Sequence, residues 1–329
     1  MLNKSEIAHK EVQRRGILCL CILLVGIALA SCHRGGNSDV HFLRFEQFLL
    51  DENYANANAT QFDSPLLNYY PEDTQFMQML QDFRNDEVVR YIYHITDSLY
   101  GDFSPYEKQL DHALKRAQKL CPSIHYDRFY TLITADFDDY QNRVFCSENE
   151  LAISIDRYVV GSMHKYQYFG LPSYILALST KEHIISDCMA AIARAHTVMP
   201  DRQPTMLDYA IAEGKAIYFT EKTLPGIADT MLMRYTADQM EWIKHNLSQV
   251  WSWLIENKML YASDYSQLRN YIDDAPKTNA FGEGSAPRTP QYIGWQIVKQ
   301  YMKKSGSTME ELLEETDSQK ILTLSGWRP

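Results

Sequence analysis

The sequence predicts a predominantly helical α+β protein with one small sheet and a C-terminal half, from about residue 180, that is helical. In that half, apolar residues recur at helical spacing over long segments, whereas β-type runs are confined to two regions of the chain. A composition that is 45% hydrophobic, with 22 Tyr and 13 Phe, can fill a sizeable core. The predicted strands lie near residues 40–45, 126–134, 143–146 and 150–160.

The first thirty residues are typical of a secretory signal. A basic segment precedes an apolar run over residues 17–30, which is too short to span a membrane as a folded helix. Leu29-Ala30-Ser31-Cys32 follows and resembles the lipobox of bacterial lipoproteins, whose Cys becomes the lipidated first residue. A stop-transfer helix or an ordinary signal peptide is the alternative. We therefore expect a signal peptide over 1–31, a lipidated Cys32 with a tether over 32–39, and a single domain over 40–329.

The tether after Cys32 carries no run of acidic residues of the kind that directs lipoproteins to the cell surface in related bacteria. Its absence favours an anchor that faces the periplasm. The formal net charge of −10 argues against nucleic acid as a partner and against general affinity for anionic lipid. Beyond Cys32 only Cys121, Cys146 and Cys188 follow, and no C-x-x-C pair exists, so neither a disulfide framework nor a cysteine zinc site is expected.

In the N-terminal half, a first strand is followed by a polar stretch over residues 46–84, for which we predict irregular structure apart from a short helix around Leu66–Tyr70. Two helices are predicted next, Asp86–Tyr100 and Pro105–Leu120. The run over residues 150–160 alternates apolar and polar side chains at its start, the pattern of a half-buried strand. A turn over residues 136–142 and a loop over residues 161–172 are predicted between these elements.

The C-terminal half is predicted to contain four longer helices and a short one. Thr236-x-x-Gln239 and Ser307-x-x-Glu310 fit capping boxes for the third helix and for the short one. A long loop over residues 273–290 separates the third helix from the fourth, and loops of this length inside a domain are usually functional or mobile. The predicted helices are Lys181–His196, Thr205–Lys222, Thr236–Leu260 and Gln291–Lys303.

The helix over residues 205–222 is apolar on nearly all sides, which predicts that it is buried within the domain. Gly214 in its middle disfavours the helix by about 1 kcal/mol relative to Ala, so we expect another segment to pack closely against it. Glu213 beside it needs a partner if it is buried. An ion-paired or hydrogen-bonded carboxylate is one interpretation, and a ligand or catalytic group is the other.

Known catalytic motifs are absent from the sequence: it contains no G-x-S-x-G, no P-loop and no H-E-x-x-H. The nearest approach is His183 with Asp187, four residues apart on one helix, about thirty residues before Glu213. If His183 and Asp187 are aligned with the two histidines of H-E-x-x-H, Ile184 stands at the position of the glutamate that acts as general base. An isoleucine cannot accept a proton. A residual metal site formed by His183, Asp187 and Glu213 is one hypothesis. The alternative is that His183 and Asp187 form a surface or capping pair.

The chain contains six distinctive sequence blocks, over residues 205–225, 235–242, 251–264, 275–276, 293–302 and 325–329. In their order and spacing, these blocks resemble the gliding-motility lipoprotein GldB family of Bacteroidota. The resemblance covers about residues 200–329. The lipobox and the strand near Asp39–Phe45 fit as well, and residues 50–180 match only loosely. The resemblance implies an envelope lipoprotein with a degenerate zincin-like fold. The family is similar to predicted zinc proteases but lacks their metal motif. No catalytic residue is therefore carried over to this chain.

Two functions follow as hypotheses. The first is a non-enzymatic envelope lipoprotein that binds a protein or envelope component near the motility or secretion machinery. It is anchored to the membrane through the lipid on Cys32 and uses no cofactor. The second is a metal-binding or zinc-dependent peptidase-like enzyme that uses His183, Asp187 and Glu213. Metal content and the spatial arrangement of these three side chains distinguish the two.

Overall fold

The computed structural model describes residues 39–51, 62, 64–67, 69–135, 142–159 and 171–329. Val40–Pro329 forms one compact unit. The predicted signal peptide, Cys32 and nearly all of the tether lie outside the described residues, as do most of the predicted turn over 136–142 and loop over 161–172.

A four-stranded mixed sheet forms in the N-terminal half, as predicted, with strand order β1-β2-β4-β3. The strands β1, β2 and β4 run parallel, whereas β3 pairs antiparallel with β4. Three strands are shorter than predicted, since the ends of the apolar runs leave the sheet, and the strand predicted over 143–146 has its predicted length but begins one residue later. The strands are β1 (Phe42–Arg44), β2 (Arg128–Leu132), β3 (Val144–Ser147) and β4 (Glu150–Ser154).

The strand predicted over residues 150–160 is confirmed in its first half only. It ends at Ser154, and Ile155–Tyr158 forms a 3-10 helix. All five residues of β4 are buried, so the expected half-buried pattern does not hold. The reason is topological: β4 lies inside the sheet, and its alternate residues pack into the main core on one face and into a smaller aromatic-rich cluster on the other.

The prediction that residues 46–84 are irregular apart from one short helix is wrong. A helix α1 (Phe45–Leu50) begins directly after β1, and a second, α2 (Thr74–Asn85), begins after its N-cap Asp73, whose carboxylate accepts two backbone N–H groups. The expected short helix is a 3-10 turn, Pro65–Leu67. Phe76, Leu80 and Phe83 recur at helical spacing in α2 and pack on the smaller aromatic-rich cluster, so the periodicity of this helix was present in the sequence and was missed.

The predominantly helical character of the rest of the chain is confirmed. The two helices predicted over residues 86–120 are present as α3 and α4, and the C-terminal half is built from helices α5 to α13. These are α3 (Glu87–Tyr100), α4 (Ser104–Leu120), α5 (Ser173–Leu178), α6 (Ile184–His196), α7 (Met206–Thr223), α8 (Asp229–Met233), α9 (Ala237–Glu256), α10 (Tyr265–Ile272), α11 (Thr289–Ser305), α12 (Met309–Glu314) and α13 (Ser318–Ser325).

Local differences from the predicted helices concern short elements and ends. The helices α5, α8, α10 and α13 were not predicted, because each has at most eight residues and is too short for a clear periodic apolar face. A 3-10 turn over Lys181–His183 precedes α6, so the observed α-helix begins three residues later than predicted. The capping box of α9 at Thr236 is confirmed. The predicted box at residues 307–310 is wrong by one residue, since Thr308 and Glu311 form it and α12 follows.

The close approach expected at Gly214 is confirmed. The helix α7 packs most extensively against α11, and the two backbones meet at Gly214 and Gly294. A methyl group built on Gly214 would overlap the carbonyl of Gly294, and one on Gly294 would overlap the carbonyl of Ala210. Both positions therefore require glycine for steric reasons, and the helix-disfavouring residue is retained because it permits the crossing.

The helices and the cysteines of the described ranges bear on two of the predictions made from the sequence. Among the helices of the described ranges, none combines the length and the apolar character that crossing a membrane would need. The thiols of Cys121, Cys146 and Cys188 are free, with Cys121 and Cys188 buried.

Replacing Gly214 by Ala tests the helix crossing. On propensity alone the substitution would stabilise a helix by about 1 kcal/mol. Because the added methyl group has no room between the two backbones, we expect instead a loss of roughly 3 kcal/mol or more in the free energy of unfolding. Urea denaturation of the purified protein measures the change.

Gly101→Ala is the matched control. Gly101 is an exposed residue at the end of α3, in right-handed helical conformation, and its added methyl group would meet only the carbonyl oxygen of Asp97, at 3.0 Å. We expect a change within about 1 kcal/mol for this variant. A Gly214→Ala protein as stable as the control would show that the two helices are not held this closely.

Candidate functional site

A polar cavity of about 440 Å³ opens among the C-terminal helices beside the start of β3. Its walls come from α6, α7, the end of α8, the residues after α10 and the beginning of α11. Eight charged side chains line it, four arginines and four carboxylates, together with small apolar residues. The charged residues are Arg143, Asp187, Arg194, Glu213, Arg234, Asp273, Asp274 and Arg288.

Asp187 lies in the first turn of α6 and pairs with Arg234. Tyr158 of the 3-10 helix after β4 donates its hydroxyl to the same carboxylate at 2.8 Å. Burial by itself would raise the pKa of Asp187, but the positive charges of Arg234 and Arg143 outweigh it and hold the pKa below its usual value. Asp187 is thus an ionised carboxylate with both oxygens engaged by protein donors.

Glu213 projects from α7 beside the glycine of the helix crossing and binds Arg194 of α6. Nε and Nη2 of Arg194 each donate to one carboxylate oxygen at 2.8 Å, a bidentate pair. Burial opposes the charge of Glu213, but Arg194 lowers its pKa below the usual value. Of the two interpretations of Glu213, the structure therefore provides the ion-paired one.

His183 is buried at the N-terminus of α6, and it does not line the cavity. Its Nδ1 lies 3.2 Å from the hydroxyl of Thr180. Burial and the nearby Arg234 lower the pKa of His183 to about 4, so the imidazole is neutral at pH 7. The structure brings Asp187 and Glu213 to one cavity but leaves His183 outside it. Within the described ranges, no three His, Cys, Asp or Glu side chains are grouped to hold a metal ion.

The arginines were not found by sequence reasoning, although they define the cavity. Arg234 ends α8 and Arg288 precedes α11, and both have positive φ, at 54° and 48°. Such a backbone is uncommon for residues other than glycine and concentrates at functional sites. Arg288 pairs with Asp274 (Nε–Oδ1 3.2 Å) and donates from Nη2 to the carbonyl of Met233 at 2.7 Å.

A sequence signal for these arginines existed but was weak. Arg194 stands in an otherwise small and apolar stretch, A-A-I-A-R-A-H, and Arg143 directly precedes a strand. Charged residues in such places are rarely buried unless they are paired. The carboxylate partners of Arg194, Arg234 and Arg288 lie in α7, in α6 and after α10, so the pairing itself could not be derived from spacing.

Comparison with protein families identifies the chain. A family model described as Gliding motility protein GldB matches residues 35–329. The chain belongs to the GldB family. The match contains the sheet, the cavity and every helix described above, and it begins just after Cys32. No curated protein and no solved structure gives a significant match. The expected GldB resemblance is therefore confirmed, whereas the similarity to zincins stays a prediction.

The buried His183 of this GldB-family chain predicts a pH dependence of stability. Its folded-state pKa of about 4 lies below the ordinary value of 6.5, so the unfolded chain binds the extra proton first. Stability should fall as the pH is lowered from 6.5 to about 4, by up to roughly 3 kcal/mol from this residue. We expect His183→Asn to reduce that slope when melting temperature is measured against pH.

His112→Asn provides the control, since His112 lies on the exposed face of α4 and its removal should leave the slope as in the unmodified protein. Equal slopes for the His183 variant and this control would show that His183 is not held neutral by the fold.

Proposed function

We propose that this chain is a non-enzymatic cell-envelope lipoprotein that acts in gliding motility or the associated secretion machinery by binding a protein or another envelope component. The single observation that carries the proposal is the family match over residues 35–329. The lipobox that precedes the matched region supports an anchor at Cys32, and the tether without acidic residues supports an orientation towards the periplasm.

The chemistry of the cavity supports a binding role over a hydrolytic one. A general base needs a pKa near the working pH and a free lone pair. Asp187 and Glu213 have lowered pKa values, and their oxygens accept hydrogen bonds from arginine or tyrosine. Ile184, at the position where a zincin would carry its base, is an apolar residue buried in the core. These features favour a site that holds a ligand by its charges.

Replacing Cys32 by Ala tests the anchor. We expect the full-length chain produced in bacteria to lose incorporation of a labelled fatty acid and to leave the membrane fraction, because the acyl chains are attached at this residue. Cys21→Ala, a cysteine within the apolar run, is the matched control and should keep both the label and the membrane fraction. Label retained in the Cys32 variant would refute lipidation at this position.

Metal analysis of the purified full-length chain tests the non-enzymatic role. With both carboxylates held by arginines, we expect far less than one zinc per chain and a melting temperature that a chelator does not change. The alternative, a zinc-dependent peptidase-like protein using His183, Asp187 and Glu213, requires about one zinc per chain. It also requires loss of that zinc in Asp187→Asn but not in Asp111→Asn, which alters a carboxylate on α4 outside the cavity.

A further inference from the structure

The guanidinium of Arg143 in the cavity has two unused hydrogen-bond donor nitrogens. Arg143 directly precedes β3 and is 6% exposed, and its Nε and Nη2 are buried without a hydrogen-bond partner. Nη1 of Arg234, in the same cavity wall, is also buried without one. Native proteins seldom bury charged donors without partners, because the lost hydration is not replaced. Nε of Arg288 also lacks a hydrogen bond, although it lies 3.2 Å from Oδ1 of Asp274. Four unused donor nitrogens on three guanidiniums therefore mark the cavity, and two of the four belong to Arg143.

The other arginines of the cavity show what Arg143 lacks. Each has a carboxylate partner: Asp187 for Arg234, Glu213 for Arg194 and Asp274 for Arg288. No carboxylate among the described residues forms an ion pair with Arg143. Burial and the like charge of Arg234 lower its pKa, which shows that both oppose its charge in the folded chain. The remaining cavity carboxylate, Asp273, accepts the hydroxyl of Tyr265 instead.

The geometry of the unused donors selects the ligand. Nε–H and one N–H of Nη2 point from the same edge of a guanidinium, and this edge binds the two oxygens of a planar carboxylate in parallel. A doubly charged phosphate would suit the edge as well, but the four carboxylates that line the cavity would repel its second negative charge. A volume of about 440 Å³ lies within the range of small-molecule sites.

We propose that this cavity binds a carboxylate, received side-on by Nε and Nη2 of Arg143 with a further hydrogen bond from Nη1 of Arg234. The carboxylate belongs to a small free acid or to the C-terminus of a peptide segment that enters the cavity. The inference rests on the proposed function in one respect, namely that the cavity binds its ligand without cleaving it.

Isothermal titration calorimetry with the purified full-length chain tests the proposal. The probes are acetate, N-acetylglycylglycine, the C-terminal amide of that dipeptide, and inorganic phosphate. We expect the acid to bind and the amide to bind at least tenfold more weakly, because the amide lacks the charge and one acceptor. Arg143→Met should weaken the acid at least tenfold, and Arg143→Lys should weaken it as well, since lysine keeps the charge without the paired donors.

Melting temperatures without ligand separate binding from a structural role. Arg143→Met removes an unpartnered buried charge, so it should melt at the same temperature as the unmodified protein or higher. Arg234→Met breaks the pair with Asp187 and should melt lower. A strongly destabilised Arg143→Met protein would mean that Arg143 supports the fold, and it would overturn the proposal.

The order of affinities among the four probes decides the remaining questions. Equal binding of the acid and the amide, tighter binding of phosphate than of acetate, or no binding of any acid at millimolar concentration would overturn the carboxylate site and leave the envelope anchor untouched. Tighter binding of the dipeptide acid than of acetate supports a peptide C-terminus, and equal binding supports a small free acid. Glycine or N-acetylglycine recovered from the dipeptide by mass spectrometry would refute the non-enzymatic role while retaining the site.

Discussion

The crossing of α7 and α11 at Gly214 and Gly294 is the constraint on which the rest of the C-terminal half depends. Helices whose backbones touch cannot slide or rotate without steric overlap, because interiors are close-packed and side chains leave no free volume there. Glu213 is the residue before one of these glycines, and Arg288 and Gln291 lie at the beginning of the other helix. Arg288 is close enough to lower the pKa of Glu213. The crossing therefore fixes two walls of the polar cavity relative to each other.

The features that the sequence predicts correctly are those in which one residue has one physical explanation. A glycine in the middle of a helix that is apolar on all sides has few explanations besides a close approach, and the structure contains that approach. The capping box at Thr236 was equally readable, since its two partners are three residues apart. The four strands were found because their β-type runs are local, but the full burial of β4 depends on its neighbours β2 and β3, which the run itself does not encode.

The sequence predicted only the carboxylates of the candidate site, because contacts between distant segments are not encoded in local patterns. Asp187 and Glu213 stood out as carboxylates on helices, and both line the cavity. Their arginine partners come from α6 and from the end of α8, and no local pattern connects them. His183 was grouped with them on a spacing of four residues, yet a spacing fixes only the face of a helix and not the position at its end. His183 lies where a 3-10 turn meets α6, and its ring contacts Thr180.

The arrangement of charges also explains how the cavity remains polar inside a helical domain. Each arginine–carboxylate pair satisfies donors and acceptors that would otherwise be desolvated, and such pairs position side chains more than they stabilise the fold. Asp187 is held from two sides, by Arg234 and by the hydroxyl of Tyr158, so its orientation is fixed before any ligand arrives. Arg234 in turn has a backbone in the left-handed region, a conformation that is uncommon outside glycine and concentrates at functional sites. With its neighbours preorganised in this way, Arg143 is the charged group in the wall whose partner has to come from outside the described part of the chain or from another molecule.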